Sequence, residues 1–391
     1  MYLTRYIPDF ILSLYALYFT QGLLYPQGSF LSKTCIILIL LISVFYLIKS
    51  LLLKNRKSVF YYAWTALFVI NLIGYFIKFD FSQGPVRDMF KSISACLLPF
   101  YPFYCFSRKN ILKSDHLIRF LIIMIPIIIF QYFRNESLVR MEMNSDTAAI
   151  VNNLGYSFTG LMPFVFLINK KKIISGLLMA VLLVFIIQSS KRGAIIAGSF
   201  ALIMYFYLQL ITIGKNERIS GYIIVPLVIA GLALFVYRES ASNELLINRM
   251  TSMIEGNTSG RDVIYRTLLD HWYNKDNVFN LLFGFGFASS LDITGGSYAH
   301  NDWLELLSNF GIFGVLVYIT LFFSALSLFF NKLWPEEKRI LFLTILIIWF
   351  FISLVSMWYT SVEGFMQASL MGYILGNESP DPDQNFHSIS T

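Results

Sequence analysis

Long apolar runs alternate with short polar interruptions along most of the 391 residues. A helix needs about 20 mainly apolar residues to cross bilayer hydrocarbon, and on that measure the pattern predicts about twelve spans. They fall at 7–24, 34–53, 59–78, 87–106, 116–133, 148–168, 173–189, 193–213, 220–237, 302–330, 339–357 and 361–376. Polar residues with Pro99, Pro102 and Pro163 interrupt the fourth and sixth, and the last is short.

The longest polar interval, 238–300, has a pattern of its own. Within 260–273, GRDVIYRTLLDHWY, the residues Val263, Ile264, Thr267, Leu268 and Trp272 share roughly one helical face, with Asp262, Arg266 and Asp270 elsewhere. This predicts an amphipathic helix suited to a membrane interface, with Ser259 as its cap. Gly284, Gly286, Gly295 and Gly296 break the following stretch into turns. The chain therefore divides into N-terminal transmembrane helices (1–237), an external loop (238–300), C-terminal transmembrane helices (301–376) and a polar tail (377–391) expected to be disordered.

Composition agrees with a membrane chain. It is 57% hydrophobic and 14% charged, with 38 Phe and 23 Tyr, and the mean hydropathy is +0.64. A soluble globule cannot hide that much apolar surface, so the fold class is an all-α polytopic membrane protein with one long external loop. No small-residue cleavage site follows the first apolar run, which is read as a span. Cys35, Cys96 and Cys105 lie in or beside apolar segments without metal-ligand spacing and are read as packing residues.

The net charge of +7 is not a sign of nucleic-acid binding, because the cations cluster in short loops. With the N-terminus inside, the even-numbered loops carry Lys49, Lys54, Arg56 and Lys57; Arg108, Lys109 and Lys113; Lys170, Lys171 and Lys172; Lys215 and Arg218; and Lys332, Lys338 and Arg339. That is the positive-inside pattern. It puts both termini in the cytoplasm and Lys191, Arg192, Arg261 and His300 together on the external side. Asp381 and Asp383 fall on the cytoplasmic side and are discounted as a metal site.

The external residues suggest chemistry on an anionic, lipid-linked group. Arginine donates a planar fork to phosphate and stays charged, and histidine titrates near physiological pH. Each also has a plainer reading. Arg192 suits an interfacial anchor, Arg261 a pair with Asp262 or Glu255, Arg266 a solvated face, and His300 a helix-entry residue satisfied by backbone. His271, beside Trp272, reads as interfacial. His116 and His387 fall on the cytoplasmic side.

Several motifs occur in order. They are Ser190-Lys191-Arg192-Gly193 at the start of a span, Ser259-Gly260-Arg261, and Leu282-Phe283-Gly284-Phe285-Gly286. Then come His300-Asn301-Asp302-Trp303-Leu304-Glu305-Leu306-Leu307 and Gly311-Ile312-Phe313-Gly314. Over roughly 185–320 this series resembles the O-antigen ligase and polymerase superfamily, integral-membrane glycosyltransferases of the bacterial envelope. The resemblance departs at Ala288, where members often carry a further small turn residue.

The resemblance implies a glycosyltransferase-C-like architecture in the bacterial inner membrane, with the active site facing the periplasm. It implies transfer of a glycan from an undecaprenyl-diphosphate-linked donor to a lipid A-core or glycan acceptor, with inversion and without a metal or other cofactor. On these residues, Arg192 and Arg261, with Lys191 and Arg266 as weaker ligands, would hold the diphosphate. His300 would be the base, and Asn301 would orient His300 or the sugar. Ser190, Gly284 and Gly286 support the site. Glu305, five residues after His300 and off its stripe, receives no catalytic role. The alternative within the class is a repeat-unit polymerase, since both share these motifs. The alternative outside it is a polysaccharide or lipid transporter or flippase, which would show internal repeats and mid-depth charge.

Overall fold

The computed structural model describes residues 6–53, 57–78, 84–142, 151–168, 171–212, 238, 251, 260–274 and 277–377. Ser259, Glu255, the predicted span at 220–237 and the tail beyond Asn377 lie outside the described residues. Among the described residues the chain is helical, with one isolated bridge between Gln21 and Tyr25 and no strand.

The helices are α1 (Ile7–Phe19), α2 (Phe30–Leu52), α3 (Val59–Lys78), α4 (Gly84–Leu97), α5 (Phe100–Arg108), α6 (Ser114–Glu142), α7 (Gly155–Val165), α8 (Lys172–Gln188) and α9 (Arg192–Thr212). They continue with α10 (Arg261–Tyr273), α11 (Val278–Phe283), α12 (Ser289–Thr294), α13 (Asp302–Phe329), α14 (Glu336–Val355) and α15 (Phe365–Gly376). Among the described residues six of these, α2, α3, α6, α9, α13 and α14, are long and apolar enough to cross a membrane. Helices α1, α7 and α8 are apolar but shorter.

Departures from the twelve predicted spans have local causes. The first run stops as a helix at Phe19, where the chain turns through Gly22 and the Tyr25 hydroxyl donates to the Leu17 carbonyl at 2.5 Å. The run at 87–106 is two helices, broken at Leu98 and Pro99. Proline lacks the N–H that helix continuity needs and disfavours helical backbone in the residue before it. Past Pro163, α7 tightens into a 3₁₀ turn at Phe166–Ile168.

The chain splits into two compact units. The first comprises Met1–Leu38, Ile111–Asn257 and Glu336–Ile348, and the second comprises Ile39–Asn110, Thr258–Pro335 and Trp349–Thr391. In the first, α7 packs on α6, α8 and α9. Small residues set the spacing: a Cβ on Gly155 would lie 3.2 Å from the Ala194 Cβ, and one on Gly198 3.1 Å from Ile186. In the second, α15 lies along α5, and α13 packs on α3. The core of this unit is aromatic. Trp349 and Trp358 stack at 4.8 Å, Trp64 meets both edge-on, and its indole N–H donates to the Leu97 carbonyl at 3.0 Å. Cys35, Cys96 and Cys105 are all buried, as packing residues should be.

Candidate functional site

The second unit assembles its polar residues around a break in α13. At Gly311 the backbone leaves helical geometry, with φ 61° and ψ −154°. Gly284 at the end of α11 has nearly the same conformation, φ 73° and ψ −164°. Only glycine adopts that region readily. The two lie back to back. A Cβ on Gly284 would stand 2.5 Å from the Phe310 nitrogen, and one on Gly311 2.6 Å from the Gly284 nitrogen. This contact lets the N–H groups of Phe285 and Gly286 donate to the carbonyls of Ser308 and Asn309, at 2.8 and 3.1 Å. A break in a spanning helix is tolerable when the freed backbone groups find such partners.

Glu305 and Asn309, both fully buried, then tie the preceding loop to α13. Glu305 accepts from the Ser290 hydroxyl at 2.7 Å, the Ala299 N–H at 3.0 Å and the Asn309 amide at 3.1 Å. Asn309 accepts from the Ser289 N–H at 3.0 Å and its hydroxyl at 3.1 Å. Glu305 is therefore the anchor for the residue before His300. Its separation of five from His300 gave no sign of this, because the link runs through the backbone of Ala299. Asp302 is equally buried. It accepts from the Tyr318 hydroxyl at 2.9 Å and the Trp358 N–H at 3.0 Å, while the Trp349 indole donates to Tyr318 at 2.6 Å. Further out, the Tyr298 hydroxyl donates to the Pro85 carbonyl at 3.0 Å. Burial pushes that phenol above its ordinary range, with Glu305 and Asp88 adding to the effect.

His300 sits exposed at the mouth of α13, in left-handed backbone at φ 52°. Positive φ is uncommon outside glycine, though histidine and asparagine are enriched there. Asn301 caps the helix. Its Oδ1 accepts from the N–H groups of Trp303 and Leu304 at 2.9 and 3.1 Å, and its Nδ2 donates to the Leu354 carbonyl at 2.9 Å. The amide is thus engaged at both ends, with the first turn of α13 and with the end of α14.

Helix α10 forms where the amphipathic pattern placed it. Its first residue, Arg261, follows Gly260 as N-cap, with no side-chain cap among the described residues. The packed face differs from the predicted one. Leu268 is buried, while Arg261, Ile264, Tyr265, His271 and Trp272 are half-buried and Val263 and Thr267 are exposed. The cause is the sheltered side presented by the loop and α13: the His271 ring meets Phe285 edge-on at 4.7 Å, and the Trp272 indole donates to the Leu281 carbonyl at 3.3 Å. The Tyr265 hydroxyl reaches the His300 carbonyl at 3.4 Å. The Arg261 guanidinium donates to the Val355 carbonyl, so Arg261 and Asn301 take adjacent carbonyls at the C-terminal end of α14. That end carries negative partial charge, which an arginine complements. A guanidinium carries five N–H donors, so this contact occupies only part of the fork. Arg266 is exposed on the outer side of α10. Gly286 has φ 97°, with open space where a Cβ would be.

The second unit thus holds His300, Asn301 and Arg261 around the start of α13 and the end of α14, with Gly284 farther along at the Gly311 break. Ser190, Lys191 and Arg192 belong to the first. There Ser190, buried and at φ 51°, makes the turn between α8 and α9, and Arg192 is the first residue of α9. The Lys191 ammonium donates to Asn153 and lies 5.8 Å from the Tyr156 ring centre. The buried Asn152 supports this turn: its N–H donates to the Ser189 carbonyl at 2.9 Å, and its side-chain Oδ1 accepts from Asn135 at 3.1 Å. Among the described residues, no three of His, Cys, Asp or Glu gather as metal ligands do.

Among the described residues the chain is helical, with several helices long and apolar enough to cross a membrane and one of them opening on His300, which defines a polytopic membrane protein with a polar site at a helix mouth. Residues 176–319 match a family described as O-antigen ligase. The resemblance to the O-antigen ligase and polymerase superfamily therefore holds over the stretch from α8 to the far side of the Gly311 break. That match supports a function of the ligase or polymerase type in general. No curated protein matches the chain.

Proposed function

We propose that this protein transfers a glycan from undecaprenyl diphosphate to an acceptor hydroxyl on the external face of the inner membrane, as an O-antigen ligase does. The observation that supports it most is the exposed His300 at the mouth of α13, flanked by the anchored Ala299 and Asn301, with Arg261 and Asn301 on adjacent carbonyls at the end of α14. In this reading His300 takes the proton of the acceptor hydroxyl. The acceptor oxygen attacks the anomeric carbon from the face opposite the leaving group, inverting it. The bond to the diphosphate breaks, and its electrons go to the phosphate oxygen. Arg261 supplies countercharge to the departing diphosphate, the work a metal does in other transferases, with the exposed Arg266 as a weaker ligand. Lys191 and Arg192 stand as diphosphate ligands on their motif.

General-base help is worth about 10²–10⁴-fold in rate. His300→Ala and His300→Gln, purified and assayed in EDTA with carrier-linked glycan, should bind the donor but lose transfer by that order, whereas wild type keeps its activity. His300→Gln transferring at the wild-type rate would remove His300 as the base. Loss of wild-type transfer in EDTA, restored by Mg²⁺ or Mn²⁺, would overturn the metal-free mechanism.

A further inference from the structure

Helix α11 interrupts the polar interval that precedes His300. Between Asp276 and Asp292 the sequence carries no charged residue, and α11 itself reads VFNLLF. That stretch is too short to cross a bilayer, and its length suits a core, interfacial or re-entrant segment. Exposure excludes the core. Val278 is 66% exposed, Phe279 64%, Phe283 48% and Leu282 42%. Asn280 and Leu281 are half-buried, so every exposed side chain of the helix is apolar. Neighbouring α10 differs, with Arg266, Thr267 and Asp270 among its exposed residues. Contiguous exposed apolar surface marks a contact with membrane or protein.

The packing of α11 identifies the cover. Phe279 and Phe283 meet ring to ring at 4.9 Å, and Phe283 meets Phe313 of α13 at 6.2 Å. Phe313 is exposed and begins a stripe that continues through Leu316, Thr320 and Phe323 along the outside of α13. Those positions recur at helical spacing on a helix long and apolar enough to cross a membrane, so the stripe faces lipid chains. Helix α11 extends that lipid-facing surface sideways, beside the Gly311 break. Backbone at that depth needs partners within the protein. The Asn277 side chain accepts from the Phe279 N–H at 2.9 Å, and the Asn277 carbonyl from those of Asn280 and Leu281 at 3.0 and 3.2 Å. At the other end the Trp272 indole donates to the Leu281 carbonyl at 3.3 Å, and the Gly284 N–H to the Asn280 carbonyl at 2.8 Å.

We propose that α11 is a re-entrant membrane segment, its face of Val278, Phe279, Leu282 and Phe283 immersed in the acyl chains of the leaflet into which the mouth of α13 opens. It enters and leaves that leaflet from one side, since exposed polar residues, Asn274 and Asp292, flank it. Part of the interval 238–300 then lies in hydrocarbon rather than in water. The test is made on the full chain in phosphatidylcholine–phosphatidylglycerol liposomes, with one spin label at Phe279→Cys or Leu282→Cys; the native cysteines are buried. Collision with oxygen, which concentrates among acyl chains, is compared with collision with a water-soluble nickel chelate. Phe323→Cys on the α13 stripe is the lipid reference, and Ser297→Cys is the water reference. All four side chains replaced are exposed, which keeps the packing of the fold out of the comparison. The oxygen-to-nickel ratio at positions 279 and 282 should match that at 323 and exceed that at 297 several-fold. A ratio at either position like that at 297 would put α11 in water and overturn the proposal. So would labels sheltered from both reagents and broadened by spin–spin coupling, which would make a second copy of the chain the occupant.

Discussion

Replacing Gly311 or Gly284 by alanine tests how the loop is held to α13. Each glycine occupies backbone geometry that costs another residue about 1–3 kcal/mol. Each new Cβ would also lie about 2.5 Å from main-chain atoms of the facing segment, which cannot rotate aside as a side chain could. The segments must then part, and the bonds from Phe285 and Gly286 to Ser308 and Asn309 lengthen or break. A net loss of roughly 1 kcal/mol for each bond brings the total to about 3–5 kcal/mol. That is a large fraction of the roughly 5–15 kcal/mol by which folded domains are stable. The assay is the fraction of monodisperse protein left after heating in detergent, read by size-exclusion chromatography. Gly311→Ala and Gly284→Ala should both unfold at markedly lower temperature than wild type. Gly286→Ala carries backbone strain alone, since its Cβ would meet open space, and should lose less. Wild-type thermal stability in the two close-contact variants would refute the reasoning, and so would an equal loss in all three.

Arg261→Lys keeps the charge but not the planar fork, so it should impair transfer strongly, with Arg261→Ala worse; full activity in the lysine variant would reduce Arg261 to a cap on the end of α14. Topology is testable at Ser297, which is exposed, unlike Ser289 at 2% exposure. Ser297→Cys should react with an impermeant thiol reagent from outside intact cells, against a background of buried native cysteines. Labelling only after the inner membrane is permeabilised would reverse the orientation and remove the external site with it.

What could be read from the sequence was local. The span at 59–78 coincides with α3, and the stretch 260–273 with α10, because apolar periodicity and length are properties of neighbouring residues. The position of His300-Asn301-Asp302 at a helix mouth was legible for the same reason. The glycines could be read as turns, but not as partners. Nothing in the order of residues says that Gly284 faces Gly311, or that Arg261 reaches Val355 across 94 positions. Spacing gave Glu305 no role, whereas burial and distant donors make it and Asp302 fasteners for the loop and for Trp358. Pro99 and Pro102 did announce the interruption between α4 and α5, yet length alone led to one span instead of two short helices.

The break at Gly311 has a consequence for how α13 meets the bilayer. Residues 312–329 make up the helix beyond it. At 1.5 Å per residue that piece is roughly 27 Å long, close to the roughly 30 Å thickness of bilayer hydrocarbon. It can match the membrane by itself. The nine residues before the break, 302–310, need not share in that match. Their hydrophobicity is therefore free to vary, and they can carry two carboxylates and an asparagine without shortening the apolar stretch that lipid chains require. Changes to this first segment would leave the hydrophobic length of the helix beyond the break, and so its fit to a membrane of given thickness, as it was.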